Sequence, residues 1–342
     1  MLFQFFAMVN WSNYKRVLFL ALAFLVLGSG STEKRAVQWG FFGHKRINRI
    51  AVFTLPPEIF GFYKEHIEFL TDHAVDPDKR RYAVEGEAQR HFIDLDHFYK
   101  PGEDPFVIMP KKWKDAVEKF TEDTLQAYGI VPWHIEVMKA KLTRAFESKN
   151  VDLILKYSAD IGHYIGDAHV PLHTTENYNG QMSGQKGIHG LWESRLVEIN
   201  AESYDYFVGK AQYIKNVNDF AWGAVEGSHR ALDSVLRMEK ELTAQFPKDR
   251  KYSFEQRGNV TISVYSKEFS DAYHKRMNGM VERRLRKAIN GVGSIWYTAW
   301  VDAGQPDLTK LQRTPPSADL LKEMRTLDEE FLKGAKKGRI CE

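Results

Sequence analysis

The chain has 342 residues, of which 43% are hydrophobic and 27% charged. That balance belongs to a globular protein and excludes a disordered or collagen-like chain; at this length one large domain or two ordinary ones fit. A net charge of +3 neither demands nor excludes a nucleic-acid partner. The single cysteine, Cys341, rules out an intrachain disulfide and any thiolate metal cage within one chain.

In chain order, the first feature is Lys15 and Arg16 followed by VLFLALAFLVLG and SGS. A basic start, a short apolar run and small residues have the form of an export signal, and the run is too short for a comfortable membrane span. Residues 1–31 are therefore expected to be a signal peptide that delivers the protein to the periplasm or outside the cell. Beyond it, strand signals are scarce and helical spacing is common. Pro56, Pro57, Pro132, Pro171 and Pro247 fall between periodic stretches and read as helix boundaries. Trp113, Ala116, Val117, Phe120 and Tyr128 suit one helix, and Ile135, Met138, Leu142 and Ala145 the next. Ile154, Tyr157, Ile161 and Tyr164 give an apolar face that reaches about Ala168, and Met277, Val281, Ala288, Val292, Ile295 and Ala299 mark a long late helix. No repeat or linker divides the chain. The expected fold class is all-α: a single multi-helix domain over 39–303, then a polar C-terminal tail over 304–342 with one amphipathic helix from about 318 to 332.

The histidines are unevenly spread. Four of the 12, His163, His169, His173 and His189, lie between 163 and 189. In IGHYIGDAHVPLH, His163 and Asp167 are one helical turn apart and off the apolar face, and Pro171 ends the helix so that His173 can turn back. In GIHGLWESRL, His189 and Glu193 repeat the spacing. Such a pair sets an imidazole nitrogen beside a carboxylate oxygen, as a divalent ion requires. Imidazole mixed with carboxylate and no thiolate suits catalytic zinc, and the number of donors suggests more than one ion. A lone pair of this kind is more often a surface ion pair; two within 31 residues, with His173 between them, favour metal. Further candidates are His91, Asp94, Asp96 and His97 in RHFIDLDHF, Asp76 in HAVDPDKRRY, and His44 in WGFFGHKRINR. His169 lies off the donor face and is expected to be structural; Asp160 is either a partner of the donors or simply exposed.

The ordered motifs WGFFGH, Asp76, HFID, HYIGDAHVPLH and HGLWE resemble the superfamily that joins bacterial zinc-dependent phospholipase C with the fungal and plant single-strand-specific nucleases. The resemblance runs from Trp39 to about Asp302 and implies an all-α domain with a trinuclear zinc cleft. It implies that Asp76, His91, His163 and Asp167 hold one zinc and that His173, His189 and Glu193 hold a second. Asp167 then bridges to a third, completed by His44 and the main-chain nitrogen and oxygen of Trp39. In the family that tryptophan is the mature N-terminus. Here the cleavage zone lies about ten residues earlier, so either a second cleavage follows Gln38 or only two zincs are held. Asp72 and Asp78 compete with Asp76 for its place; the 15-residue interval to His91 favours Asp76.

The implied activity is hydrolysis of phosphodiester P–O bonds by a water that bridging zincs deprotonate, with Asp76 and Asp167 placing the ions. Lys79 and Arg80 are candidate cations for the phosphate, with solvated surface as the alternative. Phe92 and Asp94 of HFID match the nuclease pattern of a base-stacking ring and a carboxylate on the base edge. The expected partner is thus a single-stranded DNA or RNA substrate, with phospholipid as the competing one, since Glu193 and the short interval from His173 to His189 lean towards phospholipase C. A non-catalytic exported zinc-binding protein is the reading from another class. Nothing in the sequence calls for an obligate protein partner.

Overall fold

Helices α1 (Phe41–Ala51), α2 (Asp76–Arg80), α3 (Val131–Glu147), α4 (Val151–Ala168), α5 (Val217–Gln245), α6 (Met280–Asp302) and α7 (Ala318–Lys333) frame the molecule, with shorter helical turns between them. The computed structural model describes residues 41–81, 83–257 and 260–334, so the expected signal peptide and Trp39 lie outside the described residues. Among those described, no helix is long and apolar enough to cross a membrane.

The organising element is α4. The Asn150 side chain caps it by accepting from the Leu153 amide at 3.1 Å, and Asp152 adds a negative charge to its first turn. From Ser158 to Ala168 every residue is buried, so this half of the helix is enclosed on all faces. Helix α3 packs against it, with Trp133, Ile135, Met138, Leu142 and Phe146 buried. Helix α6 contributes a stripe of Val281, Leu285, Ala288, Val292, Ile295 and Trp296 at three- and four-residue spacing. The Trp296 indole donates to the Ser158 carbonyl at 3.0 Å, so a large ring is buried without stranding its N–H.

Helix α1 meets α4 over a strip made by Gly162 and Gly166, one turn apart. A Cβ on Gly162 would stand 1.9 Å from Asn48 Oδ1, and one on Gly166 would stand 2.8 Å from His44 Nδ1. The two glycines therefore let the backbone of α4 and the side chains of α1 share space. The Asn48 amide holds the junction by donating to the carbonyls of Leu70 and Ala159, both at 3.1 Å. His44 is thereby laid beside His163, their rings stacked at 3.9 Å.

Two elements differ from the expected ones. The helix anticipated across Trp113 and Tyr128 is broken into Trp113–Phe120 and Glu122–Tyr128 at Thr121, whose φ is +68°. Thr121 starts the second helix, its hydroxyl accepting from the Thr124 amide at 3.4 Å, with Glu122 and Asp123 in the following turn. The otherwise helical chain also contains an antiparallel hairpin, Tyr252–Arg257 with Val260–Tyr265, in register Tyr252↔Tyr265. Its YSFE and ISV runs alternate aromatic or β-branched with polar residues, a strand pattern of period two. The tail does carry a helix. Ser317 caps α7, Leu320, Met324 and Leu327 are buried beneath it, and it docks on α2 through Asp328 and Lys79 at 2.7 Å.

Candidate metal centre

Five imidazoles and three carboxylates meet where α1, α2, α4 and the turns after α4 converge. They form three neighbouring donor groups, the first two sharing His163: Asp78, His91 and His163; His44, His163 and Asp167; and His173, His189 and Glu193. Asp167 lies between them. Its Oδ2 is 3.0 Å from His91 Nδ1 and 3.3 Å from His163 Nε2, while its Oδ1 is 3.3 Å from His44 Nε2 and 3.7 Å from His173 Nε2. Glu193 makes the second link: Oε1 is 3.2 Å from His44 Nε2, and Oε2 is 2.7 Å from His189 Nε2 and 3.4 Å from His173 Nε2.

Local structure explains the aim of each group. His163 and Asp167 sit one turn apart on α4. The chain then leaves the helix through Pro171–Thr174, which carries His173 back, and the Ile93 amide donates to the His173 carbonyl at 2.9 Å, joining this turn to the segment after His91. His189 precedes a π-helical turn, Gly190–Arg195, whose wider spacing turns Glu193 towards His189 and His44. Tautomers are set from behind. His163 Nδ1 donates to the Ala74 carbonyl at 2.9 Å and His189 Nδ1 to the Tyr178 carbonyl at 3.2 Å, which leaves each Nε2 lone pair facing the cluster.

The electrostatics keep the carboxylates of the cluster ionised. Burial pushes the Asp167 carboxyl up, but the imidazoles around it, His163 and His173 first, outweigh that and hold it well below the usual range. Glu193 is likewise held low against burial, by the imidazoles of His173, His189 and His44 around it. Burial lowers the His44 imidazole, yet Asp167 and Glu193 overcome that and raise it to about 10. Asp167 Oδ2 and His44 Nδ1 are buried with no hydrogen-bond partner. His91 Nδ1 and His163 Nε2 face one another at 3.1 Å. Ionised carboxylates, inward nitrogen lone pairs and an orphaned carboxylate oxygen fit divalent cations held among these donors. The Asp78 and Glu193 side chains are each 12% exposed against 2% for Asp167, so solvent reaches the cluster from its ends.

Several sequence expectations change place. Asp76 is not beside His91 and His163. Its oxygens are taken by His73 Nδ1 at 2.7 Å and Lys79 Nζ at 2.8 Å, while Asp78 Oδ1 stands 3.7 Å from His91 Nδ1 and 3.6 Å from His163 Nε2. Lys79 is held between Asp76 and Asp328. Arg80 is turned into the interior: it grips Asp160 at 2.9 and 3.1 Å, reaches Tyr164 Oη at 3.3 Å, and lies 3.6 Å from Glu87. Asp160 is therefore the buried partner of Arg80. Phe92 is 4% exposed, and the Cβ of any residue replacing Gly129 would strike its ring at 2.6 Å, so its face is covered rather than open to a base. Asp94 is also buried. His169 donates from Nδ1 to the Ile165 carbonyl at 2.8 Å, the structural role expected of it.

One residue escaped the sequence reading. Glu87 is fully buried, with Oε1 3.7 Å from His91 Nε2, and is held by Arg90 Nη1 at 2.6 Å and by the Tyr164 hydroxyl. Burial pushes its carboxyl up, but His91 and Arg80 outweigh that and keep it ionised. It faces the back of a donor imidazole, as carboxylates behind metal-binding histidines do. The available signal was the i, i+4 interval from Glu87 to His91.

Comparison with known proteins adds an independent line. No curated protein matches this chain in sequence. Among solved structures, an alpha-toxin of Clostridium perfringens, isolated from avian strain SWCP, aligns over 80% of this chain and 67% of its own, with 15% identity and a TM-score of 0.44. The profile of the S1/P1 nuclease family matches residues 39–292, a span that contains every donor described above. Most of the chain falls within that match, and the chain belongs to the S1/P1 nuclease family of phosphodiester hydrolases.

Proposed function

We propose that the protein is a zinc-dependent phosphodiesterase that prefers single-stranded DNA and RNA. The observation that carries this reading is the continuous chain of donor groups, linked by Asp167 and Glu193, inside the segment that matches the nuclease family. Asp78, His91, His163 and Asp167 are the donors of one ion, and His173, His189 and Glu193 those of a second. His44 and Asp167 serve a third, to which Trp39 contributes if it becomes the mature N-terminus. Bound divalent zinc supplies a Lewis acid for the phosphate and lowers the pKa of coordinated water.

The remaining work falls to this chain's residues. Asp167 fixes the spacing between the donor groups, because its two oxygens face different imidazoles. The carbonyls of Ala74 and Tyr178 keep His163 and His189 in the tautomer that offers Nε2 to the cluster. The 12% exposure of Asp78 and Glu193 marks the ends at which a phosphate reaches the donors. The basic pair and apolar run near the N-terminus support export to the periplasm or beyond. The test is hydrolysis of single-stranded DNA, RNA and phosphatidylcholine side by side, before and after chelation and zinc return. Chelator-sensitive cleavage of the nucleic acids, with little lipid turnover, is the expected result. Dominant lipid turnover overturns the nuclease assignment, and activity indifferent to chelation overturns the metal assignment.

A further inference from the structure

The first two turns of α6 carry Arg283, Arg284, Arg286 and Lys287. With Phe220 and Asn290 they line an open groove of about 650 Å³. Asp219 is the one carboxylate among its lining residues, and it is engaged by the Asn216 amide at 2.6 Å. Arg286 is neutralised by Asp205 at 2.5 Å. The other three cations have no such partner in the wall.

Arg284 is the telling member. It is 7% exposed, and its Nε donates to the His169 carbonyl at 2.9 Å. Nη2 donates to the Ala224 carbonyl at 2.8 Å and to the Ser228 hydroxyl. Every one of these acceptors is neutral, so the hydrogen bonds are met and the charge is not. Burial lowers this guanidinium to about 10, and no carboxylate opposes the effect. A buried cation without a counter-ion is costly, and proteins usually pair it. Arg283 and Lys287 are exposed on the same wall, the first donating to the Asn278 carbonyl at 2.5 Å.

The shape leaves room for the missing anion. A Cβ added at Gly223 would meet nothing within 4 Å, so that stretch of α5 is an open floor. The Phe220 ring lies against Gly291, where an added Cβ would strike it at 2.8 Å, and it forms a flat apolar wall beside the cations. Arg284 also borders a narrow internal space with His44, His169 and Glu193, so its side chain separates this groove from the donor cluster. Three cations without a carboxylate partner among the described residues, one of them a guanidinium in fixed orientation, match a phosphate better than a single carboxylate, because a phosphate brings more charge and more acceptor oxygens.

We propose that this groove is a second anion site, distinct from the metal centre, that takes a phosphate-bearing ligand. The inference goes beyond the phosphodiesterase reading and does not rest on it.

The experiment uses the zinc-loaded full chain and two probes, inorganic phosphate and a cleavage-resistant phosphorothioate oligonucleotide. Phosphate stoichiometry by equilibrium dialysis is compared between wild type, Arg283→Glu/Lys287→Glu, which changes only exposed side chains, and Arg284→Met. The expected result is one phosphate fewer per chain, or at least tenfold weaker binding of that equivalent, in the charge-reversed variant, while it hydrolyses a small chromogenic phosphodiester at the wild-type rate. If oligonucleotide binding falls in parallel, the site holds a phosphate of the strand; if phosphate binding alone falls, it holds a free anion. Either result supports the site. Unchanged phosphate stoichiometry and affinity in the folded charge-reversed variant overturns it, whatever the hydrolytic activity proves to be. Arg284→Met, if folded, must reproduce the loss.

Discussion

Replacing Asp78 by Asn tests the reassignment within the DPD sequence of α2. Asp78 is the carboxylate of the group it forms with His91 and His163, and its Oδ1 stands 3.7 and 3.6 Å from their facing nitrogens. Asparagine keeps an oxygen in that place and removes the negative charge. Changes to residues that merely support metal ligands cost about 10–100-fold in affinity, so loss of a charged ligand belongs at or above the upper end. A ligand present at about 100 times its Kd contributes about 2.7 kcal/mol of stability, and a 100-fold weakening forfeits most of it. For a chain of this size that lowers Tm by about 5 °C in limiting zinc. The assay is metal analysis after dialysis, paired with thermal unfolding with and without added zinc. Asp78→Asn is expected to lose close to one equivalent and to recover Tm at high zinc. Asp76→Asn, which disturbs only the contacts with His73 and Lys79, is expected to keep all of its metal. The opposite pattern refutes the reassignment and restores the 15-residue interval as the better guide.

Glu87→Gln removes the charge behind His91 and is expected to weaken zinc binding about 10–100-fold, read by competition with a chelator; unchanged affinity removes Glu87 from the supporting shell. Phe92→Ala is expected to cost about 3–5 kcal/mol of stability, the usual range for a buried phenylalanine, and to lower turnover of oligonucleotide and base-free phosphodiester alike. A loss confined to the oligonucleotide would return Phe92 to the base-stacking role. Burial raises the Asp160 carboxyl to about 6 despite Arg80. Between about pH 4 and 6 the folded chain therefore binds a proton that the unfolded chain has released, and this contribution falls as pH rises, by about 3 kcal/mol in all at 1.36 kcal/mol per unit. Asp160→Asn should accordingly gain stability relative to wild type from pH 4 to 7 in denaturant titrations, and parallel curves would contradict the shift.

The parts of the centre that were legible in the sequence are the local ones. His163 with Asp167 and His189 with Glu193 are fixed by helical spacing, and the proline after α4 announces the return of His173. The choice between Asp76 and Asp78 is not local. Helix α2 has only five residues and begins at Asp76, so the docking of this short turn on α4 decides which acid faces His163. The covered face of Phe92 depends on Gly129, 37 residues later in the chain, and the role of Arg80 depends on Asp160 and Tyr164. Helical periodicity found the long helices but ran through Thr121, because a capped restart keeps nearly the same apolar spacing as an unbroken helix.

Helix α7 carries a consequence for the order in which the centre can be completed. All described donors lie between His44 and Glu193, so a growing chain holds the full set of ligands long before synthesis reaches α6 or α7. Yet α6 walls in α4, and α7 clasps α2 through Asp328 while Phe331 packs 6.1 Å from Phe41 at the start of α1. Both flanks of the donor cluster are thus closed by segments that follow every described donor in the chain. A chain without them would offer a flexible set of imidazoles and carboxylates, and the preorganised geometry would arise only once α6 and α7 have docked. The geometry of the donor cluster in this way depends on segments that supply none of its described donors.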